Sequence, residues 1–269
     1  MKKILALLMA GAMAACALAG CGGASNDADS DWAYIQGKGA LKIGITYFEP
    51  MNYKDANGEL TGFETEFAKA VCEELGVTPD FQEIEWDSKE IELNSKTIDC
   101  IWNGMTITDE RKETMDISTP YMENKQVMVC KAENAEKFAS ADGVKGAKVV
   151  AEAGSAGEEV AKENEFFKEA EYLAVDAQSK ALLEVKSGTS DIALIDYVMS
   201  IGTLREGSDY ADLKVIESES FAPEQYGIAF RKGSDTDEKV NEAITKLVEN
   251  GKLKEIAEKY SLGELLIAK

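Results

Sequence analysis

Residues 99–111 read DCIWNGMTITDER. An apolar, strand-like run opens into Asn103, Gly104 and Thr106, and a single arginine follows at 111. A core strand would continue apolar, and a surface loop would not hold Trp102, Met105 and Ile107 so close together. The guanidinium of Arg111 can donate two parallel N–H bonds to the two oxygens of a carboxylate. Thr106, five residues earlier, adds a hydroxyl or a backbone N–H. Two other segments carry related chemistry. Gly154-Ser155-Ala156-Gly157-Glu158 opens a helix after a strand, and free N–H groups at a helix start favour anions. Asp196 ends the strand-like run DIALID with a carboxylate that can accept from an ammonium group. Each residue also has a structural reading: Arg111 as a surface charge paired with Asp109 or Glu110, Ser155 as a plain helix cap, Asp196 as the N-cap of a helix from Tyr197. An arginine in a first helical turn opposes the helix dipole, which favours a binding role for Arg111. Thr108 reads as that helix's N-cap.

The composition removes several kinds of chemistry. The chain has no histidine, hence no Ser-His or Cys-His nucleophile pairing and no histidine metal ligand. Cys72, Cys100 and Cys130 stand alone in apolar surroundings and read as buried small hydrophobes; a disulfide between two of them stays open. No catalytic group, metal site or cofactor is expected. With 29 basic and 50 acidic residues the chain carries a net charge of −21, which excludes a general electrostatic attraction to nucleic acid or anionic lipid.

The N-terminus places Lys2 and Lys3 before an apolar segment from Ile4 to about Ala19, the order of an export signal. It ends Leu18-Ala19-Gly20-Cys21, followed by Gly22-Gly23 and a polar run that reads as a tether. From residue 41 strand-like and helix-like segments alternate. LKIGIT, FQEIEW, TIDCIW, AKVVAEA, EYLAVDA and DIALID read as strands. FETEFAKAVCEELG, SKEIELNSK, a helix from Ser155 and ALLEVKSG lie between them, which points to right-handed crossovers and mainly parallel sheets. KQVMVCK (125–131) and YGIAFRK (226–232) interrupt the rhythm, and helices finish the chain. The arrangement this suggests is two α/β lobes, the second inserted in the first.

In order along the chain, GITYFEPMNYKDANGELTGFETEFAKAV (44–71), DCIWNGMTITDER (99–111), STPYM (118–122), AEAGSAGEE (151–159), SGTSDIALID (187–196) and YGIAFRKGS (226–234) resemble the motifs of bacterial solute-binding proteins of family 3, the amino-acid receptors of ABC importers. The likeness spans nearly all of 41–260. It implies a two-lobed periplasmic-binding-protein-like fold of type II with a two-strand hinge crossing near 122–125 and 221–225. The implied layout is a signal peptide at 1–20, a lipidated Cys21 and tether over 21–40, lobe 1 over 41–123 and 224–269, and lobe 2 over 124–223.

The resemblance also implies roles. Arg111 and Thr106, with Ser155 and Ala156 from the other lobe, would hold the ligand's α-carboxylate. Many relatives carry a second hydroxyl residue where Ala156 stands; the backbone N–H survives that change and the side-chain donor does not. Asp196, with the carbonyl of Gly104 or Asn103, would hold the α-ammonium. Phe48 and Trp102 would face the ligand side chain, with core packing the other reading of Trp102; Glu49, Tyr53 and Asn103 could reach its far end. A carboxylate at Glu49 would favour a polar or cationic side chain. The implied protein is a monomeric, non-enzymatic receptor that closes about its hinge on a free amino acid. It would be held by its lipid on the outer face of the cytoplasmic membrane and would serve a permease and an ATPase that are separate chains. A ligand-sensing partner of a signalling receptor and a dehydratase-type enzyme are the alternatives.

Overall fold

A computed structural model describes residues 30–218 and 221–268; the leader and Cys21 lie outside the described residues. Helix α1 (Asp31–Lys38) leads into β1 (Ala40–Ile45), a short hairpin of β2 (Tyr53–Lys54) and β3 (Leu60–Thr61), α2 (Phe63–Leu75) and β4 (Thr78–Glu83). Then come α3 (Lys89–Asn94), β5 (Cys100–Thr106), α4 (Asp109–Thr114), β6 (Met115–Ile117) and the long β7 (Met122–Lys131). The second lobe holds α5 (Ala141–Val144), β8 (Lys148–Glu152), α6 (Ala156–Glu163), β9 (Glu171–Val175), α7 (Gln178–Ser187), β10 (Ile192–Asp196), α8 (Tyr197–Thr203) and β11 (Leu213–Ile216). The chain returns through β12 (Pro223–Arg231) and ends in α9 (Thr236–Glu249) and α10 (Lys252–Lys259).

The strands run β4-β1-β5-β12-β7-β10-β8-β9, with β11 beside β7 and β6 beside β12. Strand β1 is parallel to β4 and β5, and β8 is parallel to β9 and β10, as the alternating pattern requires. Among the described residues the strands of the two lobes join through β7 and β12. These pair antiparallel with each other over Met122–Lys125 and Pro223–Tyr226. Beyond that ladder β12 turns to β5 and β7 turns to β10. The fold is therefore two lobes, the second inserted in the first, joined by a two-strand hinge.

One apolar cluster runs from lobe 1 across the hinge strands to Val150, Leu182 and Ile195 of lobe 2, and a second lies within lobe 2. Phe63 and Phe67 on α2 pack with Trp102 and Tyr121 in lobe 1, while Phe138, Phe167, Val149 and Ile192 centre lobe 2. Cys72, Cys100 and Cys130 are buried and unpaired, and burial raises the thiol of Cys72 to about 12 and that of Cys130 to about 11.

The tether expected through residue 40 gives way at Asp31 to helix α1. Polarity alone had marked Ser30 and Asp31 as linker. Instead Ser30 caps the helix by accepting from the Ala33 N–H at 2.9 Å, Asp31 pairs with the buried Arg231 at 2.7 Å, and Ile35 is fully buried. Among the described residues no helix is long and apolar enough to cross a membrane.

Candidate functional site

Strand β5 is buried along its whole length and its C-terminal end opens between the lobes, the position at which open α/β sheets present ligands. Gly104 there has φ +56°, and a Cβ would stand 2.8 Å from Cζ of Phe48, so only glycine fits. Its N–H donates to Oε1 of the buried Glu64 at 2.8 Å; Asn52 and the Tyr121 hydroxyl also donate to that carboxyl group. Burial pushes Glu64 up to about 7 against these bonds.

The chain then turns into α4, where Thr108 caps the helix by accepting from the Arg111 N–H at 3.1 Å. That cap brings the Arg111 side chain back under the strand end. Its Nη1 donates to the Thr106 carbonyl at 2.7 Å, and Nη2 lies 3.5 Å from the Gly154 carbonyl and 3.3 Å from Glu159 of lobe 2. The guanidinium is 6% exposed, and these contacts leave further N–H donors of its five. The Thr106 hydroxyl donates to Glu224 on β12 at 3.0 Å.

Lobe 2 meets this end through the turn after β8. Gly154, at φ +69°, lets the chain enter α6, and its carbonyl accepts from Lys89 of lobe 1 at 3.0 Å. Ser155 caps α6 by accepting from the Glu158 N–H, and Glu158 accepts from the Gly154 N–H at 2.8 Å. Asp196 occupies the N-cap position of α8 without bonding to the helix backbone. Its carboxylate instead accepts from Asn124 at 2.6 Å, Gln126 at 2.7 Å and Gln178, while its own N–H donates to Gln178 at 2.9 Å.

Phe48, Trp86, Asn103, Gly104, Thr106, Arg111, Glu152, Ser155, Ala156, Gln178 and Asp196 together line one narrow cavity between the lobes, which are closed on it so tightly that only about 10 Å³ is free. Of the residues expected from the sequence, Arg111, Thr106, Ser155, Ala156, Asp196, Gly104, Asn103 and Phe48 converge there. The Asn103 side chain is engaged elsewhere: its oxygen accepts from the Thr46 N–H and hydroxyl, and its nitrogen donates to the Thr46 carbonyl. Only its main chain remains for a ligand.

Three expected residues lie outside the lining. Trp102 is core, edge-on to Phe67 with ring centroids 4.9 Å apart. Glu49 pairs across the lobes with Arg205 at 2.9 Å. Tyr53 sits half-buried on the β2–β3 hairpin.

Trp86, Glu152 and Gln178 line the cavity without having been singled out. Glu152 offered a signal, a charge closing an apolar strand. Trp86 and Gln178 stand at the starts of a single 3₁₀ turn and of α7, where periodicity says nothing. The cavity is acidic. Burial raises Glu152 to about 8, with Asp196 adding to the effect, and raises Glu224 to about 7. Burial also raises Asp196, against the bonds from Gln178, Gln126 and Asn124. Lys89 moves the other way, to about 8, through desolvation and the nearby Arg111.

A two-lobed α/β architecture with convergent charged groups in the interlobe cleft defines the class of hinged solute-binding proteins. Within it the chain belongs to the bacterial extracellular solute-binding proteins, family 3, which residues 41–264 match. It is 31% identical over 269 residues to an arginine-binding extracellular protein of Bacillus subtilis, covering 98% of this chain and all of that one. It is 30% identical over 228 residues to an L-cystine-binding protein of Escherichia coli K12, covering 84% of each. An ABC uptake transporter substrate-binding protein from Streptococcus pneumoniae with bound histidine superposes with a TM-score of 0.80 at 33% identity, covering 89% of this chain and 99% of that one.

Proposed function

We propose that the protein is the extracytoplasmic receptor of an ABC importer and captures a free amino acid between its lobes. The observation that carries this reading is the convergence of Arg111, from lobe 1, and Asp196, from lobe 2, on one cavity between the lobes. A zwitterion presents a carboxylate and an ammonium on one carbon, and these two side chains offer the opposite charges from opposite walls. Arg111, Thr106, Ser155 and the first-turn amide of Ala156 receive the carboxylate. Asp196 and a main-chain carbonyl at Asn103 or Gly104 receive the ammonium. Phe48 covers the ligand side chain.

Because the charges sit on different lobes, a ligand bridges them only when the lobes close, and it favours the closed form by its differential affinity. The hinge lies in the β7–β12 ladder, with lobe 1 over 41–123 and 224–269 and lobe 2 over 124–223. Cys21 carries the lipid that holds the receptor at the outer face of the cytoplasmic membrane, and the permease and ATPase are separate chains.

Thermal denaturation of residues 22–269, refolded to remove carried-over ligand and titrated with each common amino acid, tests this. Binding at a hundredfold excess over Kd stabilises by about 2.7 kcal/mol, a clear upward shift of the midpoint for one chemical group of amino acids. No shift with any of them refutes the reading. Nuclear magnetic resonance of the ligand after incubation should show it unchanged; a product would favour an enzyme.

A further inference from the structure

Glu152 ends β8 inside the cavity, only 3% exposed, and its Oε1 has no hydrogen-bond partner among the described residues. Buried polar groups are ordinarily paired, and a carboxyl facing a cavity without a partner calls for an explanation. Among the described residues no cation is hydrogen-bonded to it; Lys89 is the one positive charge that acts on it, at longer range. Lys89 is near, but its ammonium donates to the carbonyls of Trp86 and Gly154. The other charges that act on Glu152 are Asp196 and Asp176 from lobe 2 and Glu85 from lobe 1, all negative. Arg111 faces the same cavity, engaged with Thr106, Gly154 and Glu159.

This inference rests on the receptor reading above. The ligand's own backbone needs one cationic and one anionic partner, and Arg111 and Asp196 answer both. What then remains in the lining is Glu152, beside the aromatic residues Trp86 and Phe48 and the amide of Gln178. A neutral apolar side chain would leave that carboxyl group as unpaired as before. A side chain ending in a positive charge would pair it, and aromatic faces also attract ammonium and guanidinium groups. We infer that Glu152 receives the positively charged end of the ligand's side chain and makes the receptor selective for cationic amino acids of the arginine, lysine and ornithine kind.

A consequence separates this from a structural role. In the empty cleft burial holds Glu152 up at about 8, so the group is mostly protonated at pH 7. An arriving cation favours the ionised form, so its binding releases a proton and its affinity rises with pH between 6 and 8. A neutral ligand of the same shape lacks this linkage. Burial raises Asp196 and Glu224 as well, but Asp196 faces either ligand alike and Glu224 lies outside the lining, so the comparison cancels them.

Isothermal titration calorimetry of the refolded protein with L-arginine, L-lysine and L-citrulline provides the test. Citrulline replaces the guanidinium of arginine by a neutral ureido group of nearly the same shape. Arginine or lysine should bind at least about thirtyfold tighter than citrulline at pH 7.5. Glu152→Gln should bring the ratio within about threefold and abolish the extra proton release, and a cooperative thermal transition of the ligand-free variant shows that it folds. Citrulline, glutamine or cystine binding the wild type as tightly as the cationic ligands overturns the selectivity and leaves the receptor reading standing. An unchanged ratio in Glu152→Gln overturns the role of that residue. No binding of any amino acid overturns the receptor reading and this inference with it.

Discussion

Replacing Arg111 tests the carboxylate site most directly. The guanidinium is almost fully buried at the mouth of the cleft, with Nη1 on the Thr106 carbonyl at 2.7 Å, and is positioned by the Thr108 cap. Two charge-assisted bonds to a ligand carboxylate are each worth about 1.5–3 kcal/mol. Arg111→Ala should therefore weaken binding by about 3–6 kcal/mol, roughly 10²- to 10⁴-fold in Kd. Arg111→Lys keeps the charge but not the planar fork, and should lose about 10- to 100-fold. The empty protein should suffer much less. The Glu159 partner is half exposed, and such an ion pair contributes about 0–1 kcal/mol. Together with the bond to Thr106, the loss should lower the melting midpoint by only about 2–8 °C. Calorimetric titration and a thermal scan on the same samples separate the two effects. A Kd within threefold of wild type in a folded Arg111→Ala protein would refute the reasoning and reduce Arg111 to a partner of Glu159.

Asp196→Asn should raise Kd roughly 30-fold or more, since a ligand ammonium then enters the cavity without its anion; titration at pH 7 showing less than a fivefold change would count against it. The empty protein should lose stability from about pH 5 to pH 8. Glu64, Glu152 and Glu224 stand at about 7, 8 and 7 against an ordinary 4.5, so the native state holds more protons than the unfolded one across that window. Urea midpoints at the two pH values check this, and an equal or higher midpoint at pH 8 would contradict it. Cys72, Cys100 and Cys130 should resist a thiol reagent in the native protein and react only after denaturation, because burial keeps each thiol protonated.

Much of the cleft was readable because its residues end regular elements. Arg111 follows a capped helix start five residues beyond the strand's last threonine, and Asp196 closes an apolar run, so strand and helix periods alone bring both to sheet ends. Trp102 was ambiguous for a physical reason: an aromatic near the end of a buried strand has the same pattern whether it meets Phe67 or a ligand. The loop after β1 has no period to fix which side chain turns inward, so Phe48 lines the cavity while Glu49 turns to Arg205 and Tyr53 stays on the hairpin. Trp86, Glu152 and Gln178 belong to three separate elements: the packing of α7 on β8 makes Glu152 and Gln178 neighbours within lobe 2, and only the closure of lobe 1 on lobe 2 brings Trp86 to them. Helix α1 escaped notice because the partner of Asp31 lies 200 residues away, at Arg231.

The Gly154 carbonyl accepts from Lys89 at 3.0 Å and lies 3.5 Å from Arg111, both from the opposite lobe. One of the contacts between the two halves thus ends on a main-chain oxygen, whose chemistry does not depend on the side chain at that position. Glu152, Gln178 and Trp86, by contrast, meet the cavity through their side chains. Substitutions at Glu152, Gln178 and Trp86 can therefore rewrite what the cleft chooses while leaving Lys89, Arg111 and the carbonyl they share in place. A single hinged scaffold can in this way be inherited by receptors of differing taste.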